Sequence, residues 1–113
     1  MSLVEYIIHD LLQEIPGITY RAMFGGYGIY KDGTMTAAIM DDTLHLKGKG
    51  ELATWFEKQG CEPFIFRKKN GEETKMDYWK VPDEILENRQ ELETWFLKSY
   101  DQSKNSRKNN SKS

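Results

Sequence analysis

Residues 18–47 read ITYRAMFGGYGIYKDGTMTAAIMDDTLHLK, and this stretch decides the fold class. Short runs with alternating apolar residues are separated by turn signals at Gly25-Gly26, Asp32-Gly33 and Asp41-Asp42. Alternation of this kind is typical of half-buried β-strands, and Asp-Gly between two runs is typical of a hairpin. The stretch therefore predicts an antiparallel meander, with strands near 19–24, 27–31, 34–40 and 43–47.

Within the third of these strands the alternation assigns side chains to faces. Met35, Ala37 and Ile39 share one predicted face, and Thr36 and Ala38 share the other. Because side chains of a strand alternate with a period of two, this pattern is what a half-buried strand would show.

Helical periodicity begins on either side of the meander. Residues 3–15 carry apolar residues at spacings of three and four, and Pro16-Gly17 ends that pattern. Residues 52–56 repeat the helical period, with Gly60 as a C-terminal stop. A second hairpin is predicted about Asn70-Gly71, and the last helical region begins at Pro82 with a break at Asn88.

The predicted order is one helix, three or four strands, a helix, two strands, and one or two helices. An antiparallel sheet with one apolar face needs helices on that face. The sequence therefore predicts an α+β fold, a two-layer sandwich with a sheet of five to six strands and helices packed on one side.

The composition limits the class of protein. A chain of 113 residues is one small domain, which buries roughly two-thirds of its unfolded surface. Cys61, the single cysteine, excludes an internal disulfide and a cysteine-built zinc site. No segment approaches the roughly 20 apolar residues of a membrane span, and no secretory signal pattern is present. We therefore predict a cytoplasmic protein without membrane contact.

The charge is unevenly distributed. Residues 101–113, DQSKNSRKNNSKS, lack apolar residues and hold four basic residues against Asp101, a net charge of +3. Since the whole chain carries −2, residues 1–100 carry −5. We predict a folded domain over 1–100 and a basic, disordered tail over 101–113. An acidic body argues against nucleic-acid binding, which is expected to be weak and confined to the tail.

A search for catalytic groups finds no convergent set. His9 lies on the polar side of the first helix, and His45 points away from the apolar face, with no second histidine at metal-binding spacing. Cys61 is expected to be buried, and the pairs Asp41-Asp42 and Glu72-Glu73 fall at turns. The sequence predicts no enzymatic activity, no metal and no cofactor.

The glycines Gly25, Gly26 and Gly28 match neither a Walker loop nor a dinucleotide fingerprint, and a strand follows them instead of a helix. We predict that they are structural. Gly25 or Gly26 is expected to supply a positive φ at a tight connection, and Gly28 to leave room for a neighbouring aromatic ring or backbone.

The same residues are similar to a known family. The stretch RAMFGGYGIY, followed in order by several shorter matches, resembles the TfoX (Sxy) N-terminal domain over residues 3–98. The later matches are Asp32-Gly33, Asp41 to Lys47, Gly60 with Pro63-Phe64, Met76 with Tyr78, and Val81-Pro82.

The resemblance implies a bacterial regulator with an α+β sandwich grouped with secretion-chaperone-like folds. Full-length members of that family regulate natural competence genes together with the cyclic-AMP receptor protein, and no enzymatic activity or cofactor is established for them. They also carry a helical C-terminal domain, so this chain is expected to be a stand-alone member without it.

We therefore expect a regulatory module that binds a protein, with the transcription machinery as the partner implied by the resemblance. Arg21, Tyr27 and Tyr30 are the candidate partner-binding residues. The alternative is a chaperone-like or self-associating module unrelated to transcription, including a homodimer.

Overall fold

The fold was determined as a computed structural model, which describes residues 2–23 and 25–112, with side chains as far as residue 105. Within these residues the strands are β1 (Ile18–Met23), β2 (Gly26–Lys31), β3 (Thr34–Met40), β4 (Thr43–Lys47), β5 (Pro63–Arg67) and β6 (Glu73–Lys80). The helices are α1 (Leu3–Tyr6), continued by a π-helical turn (Ile7–Leu11), α2 (Gly50–Lys58), α3 (Asp83–Leu86) and α4 (Arg89–Lys112). The predicted α+β order is confirmed.

The strands form one antiparallel sheet in the order β1-β2-β3-β4-β6-β5. The first four strands are the predicted meander. Asp32 and Gly33 both have positive φ, as do Asp41 and Asp42, and two such residues are what a tight hairpin turn requires. β6 then lies beside β4, which leaves β5 at the edge.

The first helical segment differs from the prediction of one helix over residues 3–15. The Ser2 hydroxyl caps α1 by accepting from the Glu5 amide at 3.3 Å, but regular α-helix ends at Tyr6. The amide of Leu12 then donates to the carbonyl of Ile7 at 2.9 Å, five residues back, in a π-type turn. The residues of the predicted apolar stripe nevertheless face the core: Ile8 is partly buried, and the buried ones are Val4, Ile7, Leu11, Leu12 and Ile15.

The helices cover one side of the sheet, where α4 crosses β3 and β4. From α4 the buried residues include Leu92, Trp95, Phe96 and Ser99, and from the sheet they include Ile29, Ala37, Ile39, Leu44, Leu46 and Trp79. This side is called the helix side below, and the other is called the open face. The predicted two-layer sandwich is confirmed.

An aromatic cluster joins two helices to this layer. The rings of Trp55 and Trp95 lie 5.0 Å apart, Trp95 and Phe56 lie 5.8 Å apart, and Phe56 stacks on Trp79 at 6.3 Å. The indole nitrogen of Trp79 donates to the carbonyl of Gly48 at 2.9 Å, so its buried polar atom is paired. The cluster thus connects α2, α4 and β6.

The break predicted at Asn88 separates α3 from α4. The Asn88 side chain accepts from the amide of Glu91 at 3.1 Å and so caps the start of α4. None of the helices in the described part of the chain is both long and apolar enough to cross a membrane.

The boundary predicted at residue 100 lies inside α4, which continues to Lys112. The Gln102 side chain makes two hydrogen bonds of 2.7 Å with the backbone of Lys49, and Ser103 is buried. Residues 101–105 are therefore helical and in contact with the body, not a disordered tail. The side chains of residues 106–112, and all of Ser113, lie outside the described part of the chain.

Candidate functional site

The open face carries a groove lined by methionines from three strands. Its volume is about 240 Å³. We call it the methionine groove, and its open-face residues are Met23 of β1, Met35, Ala38 and Met40 of β3, and Met76 and Tyr78 of β6. Four of the five methionines of the chain lie here, and the fifth, Met1, is outside the described residues.

Met35 reaches the open face because the pairing of β2 with β3 is irregular. Ile29 pairs with Ala37, but the next residue, Tyr30, pairs with Met35, so Thr36 has no partner in the ladder. A bulge of this kind changes the alternation of side chains along the strand. The predicted alternation, which places Met35 on the same face as Ala37 and Ile39, is therefore wrong for Met35.

Gly28 lies beneath the groove. A Cβ atom at Gly28 would be 2.8 Å from the sulfur of Met23, 3.2 Å from Met35 Cε and 3.2 Å from Tyr30 Cε1. The missing side chain allows two methionines and a tyrosine to meet above the strand. The prediction that Gly28 leaves space for a neighbouring aromatic ring is confirmed by Tyr30. The contacts with the two methionines were not predicted.

The other two glycines of the motif set the backbone. Gly25 has a φ of 78°, so it supplies the positive φ that was predicted for Gly25 or Gly26. A Cβ at Gly26 would overlap the carbonyl oxygen of Ile39, so β2 and β3 can approach each other only because Gly26 lacks a side chain. Both glycines thus act on the backbone, one through its φ and the other through the close approach of two strands.

Tyr78 contributes a polar atom to the groove. Its hydroxyl donates to the sulfur of Met35 at 3.5 Å. Burial, followed by the nearby Tyr30 and Asp77, raises the pKa of Tyr78, so the phenol is neutral at physiological pH.

The charged strand residues of the open face are basic. Lys47 pairs with Tyr78 and Lys80 with His45, and paired residues share a face of the sheet. The Arg21 guanidinium lies over the ring of Tyr30, 5.6 Å from its centroid. We call Arg21, Lys47 and Lys80 the basic margin.

The acidic residues of the strands lie on the other face. Glu73 and Asp77 alternate with Tyr78 and so point to the same side as Trp79. Glu73 pairs with Arg67 at 2.7 Å, and Asp77 with Lys49 at 3.9 Å. Among the described strand residues, the open face thus carries cations and no carboxylate.

The three predicted partner-binding residues are divided between the faces. Arg21 and Tyr30 lie together on the open face beside the groove. Tyr27 also borders the groove, but it packs against the core, and its ring makes an edge contact with Tyr20 at 5.8 Å. The structure therefore brings two of the three together.

His45 points to the open face, as its alternation predicts, but it is buried there. Its ring contacts Phe64 edge-on at 5.3 Å, and Nδ1 lies 2.9 Å from the carbonyl oxygen of Thr43. Burial lowers the pKa of His45 despite that hydrogen bond. A neutral, packed imidazole is a structural residue.

Cys61 is also buried, and burial raises the pKa of its thiol to about 11. The thiolate, which is the reactive form, is therefore scarce at neutral pH. Within the described residues, no group of three His, Cys, Asp or Glu side chains is placed to hold a metal ion.

A family model of the TfoX N-terminal domain matches residues 10–103. The chain belongs to the TfoX N-terminal domain family.

Three relatives show the extent of the similarity. The chain is 35% identical to the DNA transformation protein TfoX of Haemophilus influenzae over 79 residues, which are 68% of this chain and 36% of the relative. It is 33% identical to the DNA transformation protein TfoX1 of Aliivibrio fischeri over 69 residues, 61% of this chain and 33% of that protein. Protein Sxy of Escherichia coli is 26% identical over 87 residues, which are 77% of this chain and 41% of Sxy. The matched region thus spans well under half the length of these relatives.

The roles of the two strand glycines can be separated by substitution. We expect Gly26→Ala to lower the free energy of unfolding by about 1–3 kcal/mol, because its Cβ would meet the backbone of β3. Gly28→Ala should cost less than about 1 kcal/mol, because its Cβ would meet two flexible methionine side chains and the edge of the Tyr30 ring instead of backbone. Urea unfolding of both variants measures the difference, and equal losses would contradict the assignment.

Burial of His45 predicts a dependence of stability on pH. Because its pKa is lowered in the folded state, the unfolded chain takes up the proton first as the pH falls below the ordinary value of 6.5. The contribution of neutral His45 to the free energy of unfolding is therefore complete above that pH. It is lost below that pH, by at most about 1.4 kcal/mol per pH unit. Urea unfolding between pH 7 and 5 should show this loss relative to the variant His45→Gln. Parallel pH profiles for the two proteins would contradict it.

Proposed function

We propose that this chain is a non-enzymatic regulatory module that controls genes for DNA uptake by binding a protein of the transcription machinery. Membership of the TfoX N-terminal domain family supports the regulatory part, since two relatives are named DNA transformation proteins. The binding part is supported by the methionine groove, an apolar depression on a sheet face that no described helix covers.

The size of the groove favours a protein partner. Small-molecule pockets commonly have volumes of roughly 300–1,000 Å³ and enclose most of the ligand. At about 240 Å³ the methionine groove is smaller than that range and suits side chains from another protein surface. The buried, neutral states of His45 and Cys61 support a role without catalysis. Nucleic-acid contact through the basic residues beyond Asp101 stays a prediction.

Gene deletion in the native bacterium tests the regulatory role. We expect loss of the gene to change transcript levels of DNA-uptake genes, and the intact gene supplied in trans to restore them. A photo-crosslinking residue in place of Met40, in the groove, should capture a subunit of RNA polymerase or an activator bound at the affected promoters. The same residue in place of Lys58, on α2, is the control and should not capture it. Unchanged transcripts in the deletion strain would contradict the proposal.

Self-association is the second candidate function, and the edge strand β5 favours it. Ile65 and Phe66 on this strand are 42% and 51% exposed, whereas natural edge strands are usually protected by charges or covered. A second copy of the chain that paired along β5 would cover these side chains.

Sedimentation equilibrium tests this candidate. We expect a monomer–dimer equilibrium that Phe66→Lys shifts at least about tenfold towards monomer, because it places a charge in the contact. Leu97→Lys is the matched control, because Leu97 is a similarly exposed apolar residue on α4. A monomer at all concentrations, or equal effects of the two variants, would contradict edge pairing.

A further inference from the structure

We infer that the methionine groove and the basic margin together bind a partner segment in which large apolar side chains are flanked by aspartate or glutamate. This inference rests on the proposed function, because it takes the partner to be a protein, and it names the chemistry that the partner must present.

The apolar part of the inference follows from the lining of the groove. Met23, Met35, Met40 and Met76 present thioether side chains, which are flexible and polarisable and adapt to differently shaped apolar groups. Each of them is only partly buried in the free chain. Apolar side chains of a partner would bury them further, with the associated gain in hydrophobic free energy.

The acidic part follows from the charges around the groove. In the described part of the chain, none of the ion pairs within 4.0 Å involves Arg21, Lys47 or Lys80. These cations belong to a body whose net charge is −5, so Arg21 and Lys47 form a local feature that opposes the overall charge, whereas Lys80 also lines a second pocket with Glu62 and Asp83. Carboxylates beside the apolar anchors of a partner would complement it and give orientation to the complex.

The state of Lys47 supports this assignment. Burial, and then the neighbouring Lys49, lower the pKa of Lys47, whereas Asp77 raises it. A carboxylate of the partner would offset both the burial and the repulsion from Lys49. Arg21, whose guanidinium lies over the Tyr30 ring, is an exposed residue and is the proposed contact of a second carboxylate.

A single-stranded nucleic acid would also complement cations, but it requires rings on which bases stack. On the open face the Tyr30 ring lies beneath Arg21, and Phe64 contacts His45. The exposed ring of Phe66 lies on the edge strand β5 and is not part of the groove lining. Thioethers, not exposed flat rings, line the groove. These observations favour the peptide.

A selection from randomised phage-displayed peptides on the immobilised chain tests the inference. We expect the enriched peptides to combine large apolar residues with flanking Asp or Glu. Enrichment of basic or uncharged peptides, no enrichment at all, or tight binding of a single-stranded oligonucleotide that competes with the peptides would overturn it.

Two double variants separate the basic margin from overall charge. Arg21→Glu with Lys80→Glu is expected to weaken the binding of a selected peptide by about tenfold or more, measured by fluorescence anisotropy. Lys58→Glu with Lys98→Glu makes the same change in net charge and is expected to leave the affinity within about twofold. The pairs are matched, because each removes one cation–ring contact, Arg21 with Tyr30 or Lys98 with Trp55. Equal losses would overturn the role of the margin.

The groove itself is tested by Met40→Gln, which keeps the length of the side chain but makes it polar. We expect about tenfold weaker peptide binding, with the folded state checked by circular dichroism. Methyl signals of labelled methionines should shift when peptide is added, and unshifted groove methyls in a bound complex would overturn the site.

These outcomes can be told apart from failure of the proposed function. If the deletion strain shows changed transcripts but selected peptides are not acidic and apolar, only the inference about the partner segment fails. If peptides bind as expected but the transcripts do not change, the groove binds a segment of this chemistry and the regulatory role fails.

Discussion

The rest of the structure depends on the contact of Phe56 with Trp79 and Trp95. Phe56 stacks on Trp79 of β6 and meets Trp95 of α4, so one ring joins both helices to the sheet. Aromatic side chains bury roughly 150–250 Å² each and dominate the stability of a small core. Because all three rings lie on the helix side, the helices gather there and the opposite face of the sheet is left open.

An open sheet face usually carries polar residues, since it faces water. Here its centre is formed by methionines that pack on one another above Gly28, with Ala38 buried beside them. Their packing shields part of the apolar surface in the free chain, and their flexibility leaves them able to rearrange. The same face excludes carboxylates from its strand positions, so its apolar centre and basic margin form one surface of consistent chemistry.

The glycine motif of residues 25–28 connects these features. Gly26 allows β2 and β3 to approach, and Gly28 gives space to Met23 and Met35. A motif that resembles a phosphate loop in composition thus supports a protein surface. Its backbone role could be predicted from the sequence, because positive φ and close approach both require a residue without a side chain.

Features that depend on interactions between residues close in sequence were predicted correctly, and features that depend on distant residues were not. The first four strands were predicted to within a residue or two, because their turns and alternation are local signals. The prediction of one continuous first helix was wrong. The π-helical turn at Ile7–Leu11 could not be seen in the sequence, because it leaves the spacing of the apolar residues unchanged. Residues 101–105 were assigned to a disordered tail because they lack apolar residues, but Gln102 and Ser103 are held by contacts with the body.

The sequence by itself determined the order of elements, the hairpin turns, the apolar stripe of each helix and the family. Only the tertiary structure decided that Met35 turns to the open face, that β6 lies beside β4, and that His45 is buried there. The physical reason is that periodicity reports the state of one segment at a time. A bulge shifts the register between two strands, and the methionine groove joins Met23 to Met76, which are far apart along the chain. Such contacts exist only after the sheet has assembled.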